Sequence, residues 1–167
     1  MPRRWLGIGA AVVGVAVLLY ALLARKSDEE LIRDQLERLG RVVRVSGDGE
    51  NLIFRGARLK KEFETLFVSN VRVDISELTT VKGGREELVG VATRAGTIYR
   101  TADVDIHPDS IELIADDTSA KVSGSATITG ERGGSTNRDE RKVTFGFSKT
   151  KEGWLIDSVV VTPRREE

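Results

Sequence analysis

The sequence predicts an α+β domain: two to three helices packed on one face of a curved antiparallel sheet of about four to six strands, behind an N-terminal transmembrane helix. Three observations carry this prediction. Trp5 to Ala24 is twenty residues without a charge. The next stretch repeats its apolar residues at helical spacing, and from Asn70 onward two-residue alternation takes over with one helical interruption. Helices first and a strand meander last is the pattern of a sheet with its helices on one side.

A helix of the length of Trp5–Ala24 spans roughly 30 Å, the hydrocarbon thickness of a bilayer. Trp5 and Tyr20 stand near its ends, where amphipathic rings favour the headgroup level, with Leu18 and Leu19 in the apolar run. A cleaved secretory signal is the competing reading. The run is longer than a usual signal core, and Leu22 spoils a small-x-small site ending at Ala24, so an uncleaved anchor over 1–26 is expected. Arg3 and Arg4 with the amino terminus oppose Arg25 and Lys26, which favours the amino terminus inside and the domain on the periplasmic or extracytoplasmic side.

Residues 27–162 are then one domain, with 163–167 a charged tail. Residues 1–26 carry four basic residues and no acid, leaving 22 of the 26 basic residues against all 26 acids, a net charge of −4. An acidic domain without a basic stripe is a poor nucleic-acid binder. The absence of cysteine excludes disulfides, thiol catalysis and cysteine-rich metal sites.

Ser27 and Glu30 form a capping box that opens a helix bearing Leu31, Ile32, Leu36, Leu39 and Val43 at helical spacing. The run Ser46 to Gly49 breaks it. A second helical segment carries Leu52, Ile53, Leu59, Phe63, Leu66 and Phe67, and Gly56 either kinks it or marks its true start. Asn70 to Leu78 alternates as a strand, Lys82 to Gly84 turns, and Arg85 to Ala95 makes a short helix that Gly96 can terminate. Ile98, Ala102, Val104 and Ile106 then alternate with Tyr99, Thr101, Asp103, Asp105 and His107. His107 to Ser110 is expected as a turn, Ile111 to Ala115 as the return, and Asp116-Asp117 as another turn. Ala120 to Thr129 alternates again, and Gly130 to Asp139 reads as a flexible loop. A last hairpin pairs Val143, Phe145 and Phe147 with Trp154 and Ile156 around a Glu152-Gly153 turn.

Asp117 to Val122 entering a long strand, and Val143 to Phe147 followed by Glu152 to Asp157, resemble stretches of the nuclear transport factor 2-like superfamily, the SnoaL-like or cystatin-like cone. The resemblance implies that fold. It does not imply one activity, because the superfamily includes enzymes, small-ligand binders, dimerising factors and membrane-anchored assembly domains. An isomerase of this fold is expected to use an aspartate base with Tyr and acid donors in the pocket between helices and sheet.

The residues available for such chemistry are Tyr99, Asp103, Asp105 and His107, which the alternation places on one strand face. The plain alternative, a solvated strand face, is preferred because Thr101 completes an unbroken polar series. One His and scattered acids give no metal-ligand spacing, and no motif for a cofactor is present. Ala120, Gly124, Ala126 and Gly146 leave little bulk on the sheet, which admits a helix or a bound apolar ligand. The last strand is apolar on both faces: Leu155, Val159 and Val161 accompany Trp154, Ile156 and Val160. Either a homodimer or another envelope protein covers Leu155, Val159 and Val161, or the sheet curls over its own edge. The sequence therefore favours a non-enzymatic, membrane-anchored domain for protein contact at a bacterial envelope, with an apolar-ligand binder or an isomerase or dehydratase as the alternative.

Overall fold

The computed structural model describes residues 26–163 except 48, 77 and 78. The expected spanning helix, with Trp5, Leu18, Leu19 and Tyr20, lies outside the described residues, as does the tail beyond Pro163. Among the described residues no helix is long and apolar enough to cross a membrane.

Helix α1 (Asp28–Val43) begins on the capping box: the Glu30 backbone N–H donates to Ser27 Oγ at 3.2 Å, and Ser27 N–H donates to Glu30 Oε2 at 2.9 Å. From Ile32 onward the chain forms one compact unit. Helix α2 (Leu52–Glu64) starts on Asn51, whose Oδ1 accepts from Ile53 N–H at 2.8 Å. Gly56 neither kinks nor opens α2; it faces Thr93, where a small residue lets the next helix approach. Leu59 and Phe63 are buried, whereas Leu52 and Ile53 belong to the exposed side, and Leu66 and Phe67 lie beyond the helix, which ends at Thr65.

Strand β1 (Phe67–Ile75) is followed by the short edge strand β2 (Thr79–Val81), which the alternation did not reveal. Helix α3 (Gly84–Ile98) runs past Gly96 instead of stopping there. Gly96 is small for packing: a Cβ on it would come within 3.0 Å of the buried Arg55 side chain.

Strands β3 (Thr101–Ile114), β4 (Ser119–Arg132), β5 (Ser135–Thr150) and β6 (Gly153–Pro163) form a long antiparallel meander. Two expected irregularities are absorbed into it. His107 to Ser110 is not a turn but a bulge in β3, which tolerates Pro108 because β3 is a sheet edge. Gly130 to Asp139 is not a loop: β4 and β5 stay paired to Arg132 and Ser135, and Gly133 and Gly134, both at positive φ, close a two-residue hairpin.

The sheet order is β2-β1-β6-β5-β4-β3. It is mixed, not wholly antiparallel, because β1 and β6 pair in parallel. The connection between them, α3 and the β3–β5 meander, far exceeds the dozen or so residues a parallel pairing needs. All three helices lie on the sheet's inner face, and the core joins Leu36, Leu59, Phe63, Val71, Phe147, Trp154 and Ile156.

Bulges also explain the strand glycines. Register shifts at Asp157, opposite Gly146 and Phe147. A Cβ on Gly146 would strike Ser158 Oγ and Asp157 Oδ1; one on Gly124 would strike the His107 carbonyl at the β3 bulge. Gly124 is therefore required by the backbone of the neighbouring strand, and Gly146 leaves room for the Ser158 and Asp157 side chains. Ser148 Oγ donates to Asp157 Oδ2 at 2.6 Å and fixes the β6 bulge.

Candidate functional site: an apolar cavity in the cone

The Asp157 bulge has a consequence for the apolar last strand. It returns Val159 and Val161 to the same face as Ile156, so they pair with Phe145 and Val143 on the inner side of the sheet. Leu155 is buried and Val160 is half-exposed on the other side. Two of the three residues expected at an outer interface thus look inward.

What they look into is a cavity of about 330 Å³ between helices and sheet. Helices contribute Leu39, Val43, Phe63, Leu88, Val91 and Ala92. The sheet contributes Phe67, Val73 and Ile75 from β1, Val104 and Ile106 from β3, and Ala126 and Ile128 from β4. Val143, Phe145, Val159 and Val161 complete it. Every one of these lining residues is apolar. Unpaired polar groups in such a space cost free energy of about 2 kcal/mol or more each, so it suits hydrocarbon and repels water and charge.

Helix α3 is a loosely packed wall. Its apolar residues Leu88, Val89, Val91 and Ala92 are all only partly buried, and a Cβ on Gly90 would meet nothing within 4 Å.

The polar candidates lie elsewhere. Tyr99 caps α3 before β3 begins, so it leaves the strand alternation, and its ring rests over Gly130. Asp103 accepts from Arg44 Nε at 2.8 Å and Nη2 at 3.2 Å. Asp105 Oδ2 and His107 Nε2 are 3.1 Å apart, both well exposed. The structure thus brings Asp105 and His107 together, but outside the cavity, and it leaves Tyr99 apart from both. Among the described residues there is no cluster of His, Cys, Asp and Glu fit to hold a metal ion.

One charged pair does continue the cavity's face. On β5 the alternation runs Asp139, Arg141, Val143, Phe145, and across the sheet Asp139 pairs with Ile128, Arg141 with Ala126 and Pro163. Arg141 Nε donates to Asp139 Oδ2 at 2.7 Å, and the Arg141 side chain is only 21% exposed. Reading 130–139 as a loop hid this pair; the two-residue period carried on through Arg141 would have found it.

No family model and no curated protein matches the chain. Solved structures do. A nuclear transport factor 2-like superfamily protein from Salmonella enterica superposes with a TM-score of 0.65 at 13% identity, over 84% of this chain and 93% of the other. An NTF2-like protein with a cystatin-like fold from Novosphingobium aromaticivorans gives 0.62 at 15% identity, over 93% and 91%. A conserved protein from Planctomyces limnophilus gives 0.62 at 14% identity, over 84% and 100%. The chain therefore has the nuclear transport factor 2-like fold, as its strand and turn residues suggested, and at these identities the likeness extends to the fold alone.

Proposed function

We propose that this protein binds a small apolar ligand in the cone cavity while tethered to a membrane through Trp5–Ala24, its domain on the extracytoplasmic side. The observation that carries the reading is the lining: an open cavity of about 330 Å³ lined by apolar side chains alone. That volume lies in the range of small-molecule sites. A proton-transfer enzyme is disfavoured because none of Tyr99, Asp103, Asp105 and His107 lines this space. The tether brings the cavity close to a hydrocarbon phase from which such a ligand can partition.

The test is a fluorescence titration of the full chain, held in a nonionic amphipol, with 1-aminoanthracene. Saturable one-to-one binding that disappears in Ala92→Phe, which fills the cavity from α3, is the expected result. Binding that Ala92→Phe leaves intact would place the dye elsewhere and refute the reading. An alkaline-phosphatase fusion after Glu167 tests the orientation: an active fusion is expected, an inactive one puts the domain in the cytosol.

A protein-contact role, in a homodimer or with another envelope protein, is the second reading. It is supported by consecutive exposed Leu52, Ile53 and Phe54 at the start of α2, the latter two 79% and 73% exposed. Changing Ile53 and Phe54 together to Ser should abolish any concentration-dependent association seen by analytical ultracentrifugation; association that persists rejects this patch.

A further inference from the structure

We propose that α3 is the gate of the cavity: it releases locally from its neighbours to pass ligand, and a bound ligand holds it in place. The proposal rests on the cavity being a ligand site and names the element that its occupancy controls.

The sequence of α3 makes a weak helix. Gly90 and Gly96 stand inside it, and Val89, Val91, Thr93 and Thr97 are β-branched, all of them poorer helix formers than Ala. Gly90 has no packing reason to be small, because a Cβ there would meet nothing within 4 Å. No side chain of Gly83 can cap the helix. Glu87, from within α3, accepts instead from the backbone N–H groups of Lys82 at 3.1 Å and Gly83 at 2.5 Å.

Packing adds little to this helix. α1 buries Ile32, Leu36, Leu39 and Val42, and α2 buries Leu59 and Phe63, whereas Gly84 is the one buried residue of α3. A Cβ on Gly84 would strike the Ser69 carbonyl, so this first residue is seated tightly on β1. Beyond it the helix leans mainly on α2, β1 and the short strand β2. Those contacts are small or polar: Thr93 faces Gly56, Gly96 faces Arg55 and Leu52, and Arg85 Nη1 donates to the Phe67 carbonyl at 3.1 Å. The Arg55 guanidinium donates to the Ala92 carbonyl at 3.3 and 3.4 Å, longer than its bonds to the Val43 and Arg44 carbonyls.

The other side of α3 is a wall of the cavity. Leu88, Val91 and Ala92 line the space, each of them only partly buried. An element of low helix propensity with few buried contacts opens locally while the rest of the fold stays intact. A hydrocarbon lying against Leu88, Val91 and Ala92 supplies the apolar contact this side lacks, and that contact exists only while α3 is seated. Ligand therefore opposes release by mass action, and release in turn frees the ligand.

The test is amide hydrogen exchange on the full chain in a nonionic amphipol, with and without decanol. The dissociation constant of decanol is set by its displacement of 1-aminoanthracene. In the free protein, amides of residues 88–97 should be protected roughly tenfold less, or weaker still, than those of residues 36–42 in α1. Decanol at ten times its dissociation constant should slow the α3 amides about tenfold. Ala92→Phe, which puts an apolar ring into the same space, should slow them without ligand and remove the response to decanol. Equal protection of α1 and α3 in the free protein, or α3 exchange unmoved by decanol that displaces the dye, overturns the gate while the cavity reading stands. Decanol that neither displaces the dye nor slows α3 overturns both.

Discussion

Arg55 is the one charged residue fully buried among the described residues, 1% exposed. Its guanidinium is spent on backbone: Nη1 donates to the Arg44 carbonyl at 3.0 Å, Nη2 to Val43 at 3.1 Å, and Nε and Nη2 to Ala92. It thereby caps the C-terminal end of α1 and ties it to α3. Glu50 supplies the counter-charge at 3.2 Å and also accepts from Arg58. Arg55→Ala takes this donor from those carbonyls and leaves Glu50 to Arg58 alone, and should cost about 3 kcal/mol in chemical denaturation; a loss below about 1 kcal/mol would contradict this role. The Arg58 guanidinium, against a smaller opposing effect of burial and with Arg55 adding to it, holds the Glu50 carboxyl below its ordinary value of 4.5. A lowered folded-state value means stability that is present above pH 4.5 and is lost as pH falls through the folded value. Glu50→Gln should therefore flatten the acid side of the stability profile, and a profile that falls as steeply as the wild type would refute the linkage. Nothing in the local sequence sets Arg55 apart from Arg58 on the same helix. A buried guanidinium is a product of three chain segments meeting, and no local pattern announces it.

At the level of elements, the legible features were those fixed by neighbours in the chain. The Ser27–Glu30 box, the helix face of Ile32, Leu36 and Leu39, and the Val143–Phe147 alternation emerged as read, while Leu31, expected on that helix face, is exposed. What escaped depended on partners in another strand. Pro108 reads as a turn residue until β3 is known to be an edge, and Gly130 to Asp139 reads as a loop until β4 and β5 are seen to pair through it. The Asp157 bulge is the costliest of these, since one extra residue reverses the facing of Val159 and Val161. Gly146 pays the matching constraint: Gly146→Ala should destabilise by about 1–3 kcal/mol through the clash with Ser158 and Asp157. A neutral effect would mean the bulge relaxes freely. Gly90 is the opposite case, an α3 glycine with open space around its Cβ position. Gly90→Ala should stabilise by about 0.5–1 kcal/mol in thermal unfolding and slow dye exchange from the cavity. If it stabilises but leaves exchange unchanged, α3 is not the wall that opens.

At the level of the whole molecule, the chain's apolar content is divided between a filled core around Trp154 and Phe147 and an unfilled space above Val143 and Val159. The fold class and its helix-on-sheet layering could be read from element order. The cavity could not, because alternation says which face a residue takes and not whether the layers above it touch. The most direct test is methyl NMR on the full chain with labelled Ile, Leu and Val, titrated with decanol. The account predicts saturable shifts at Leu88, Val143, Val159 and Val161, with Ile53 and Val160 unmoved. Shifts confined to Ile53, Leu52 and Val160, or none that saturate, would contradict it.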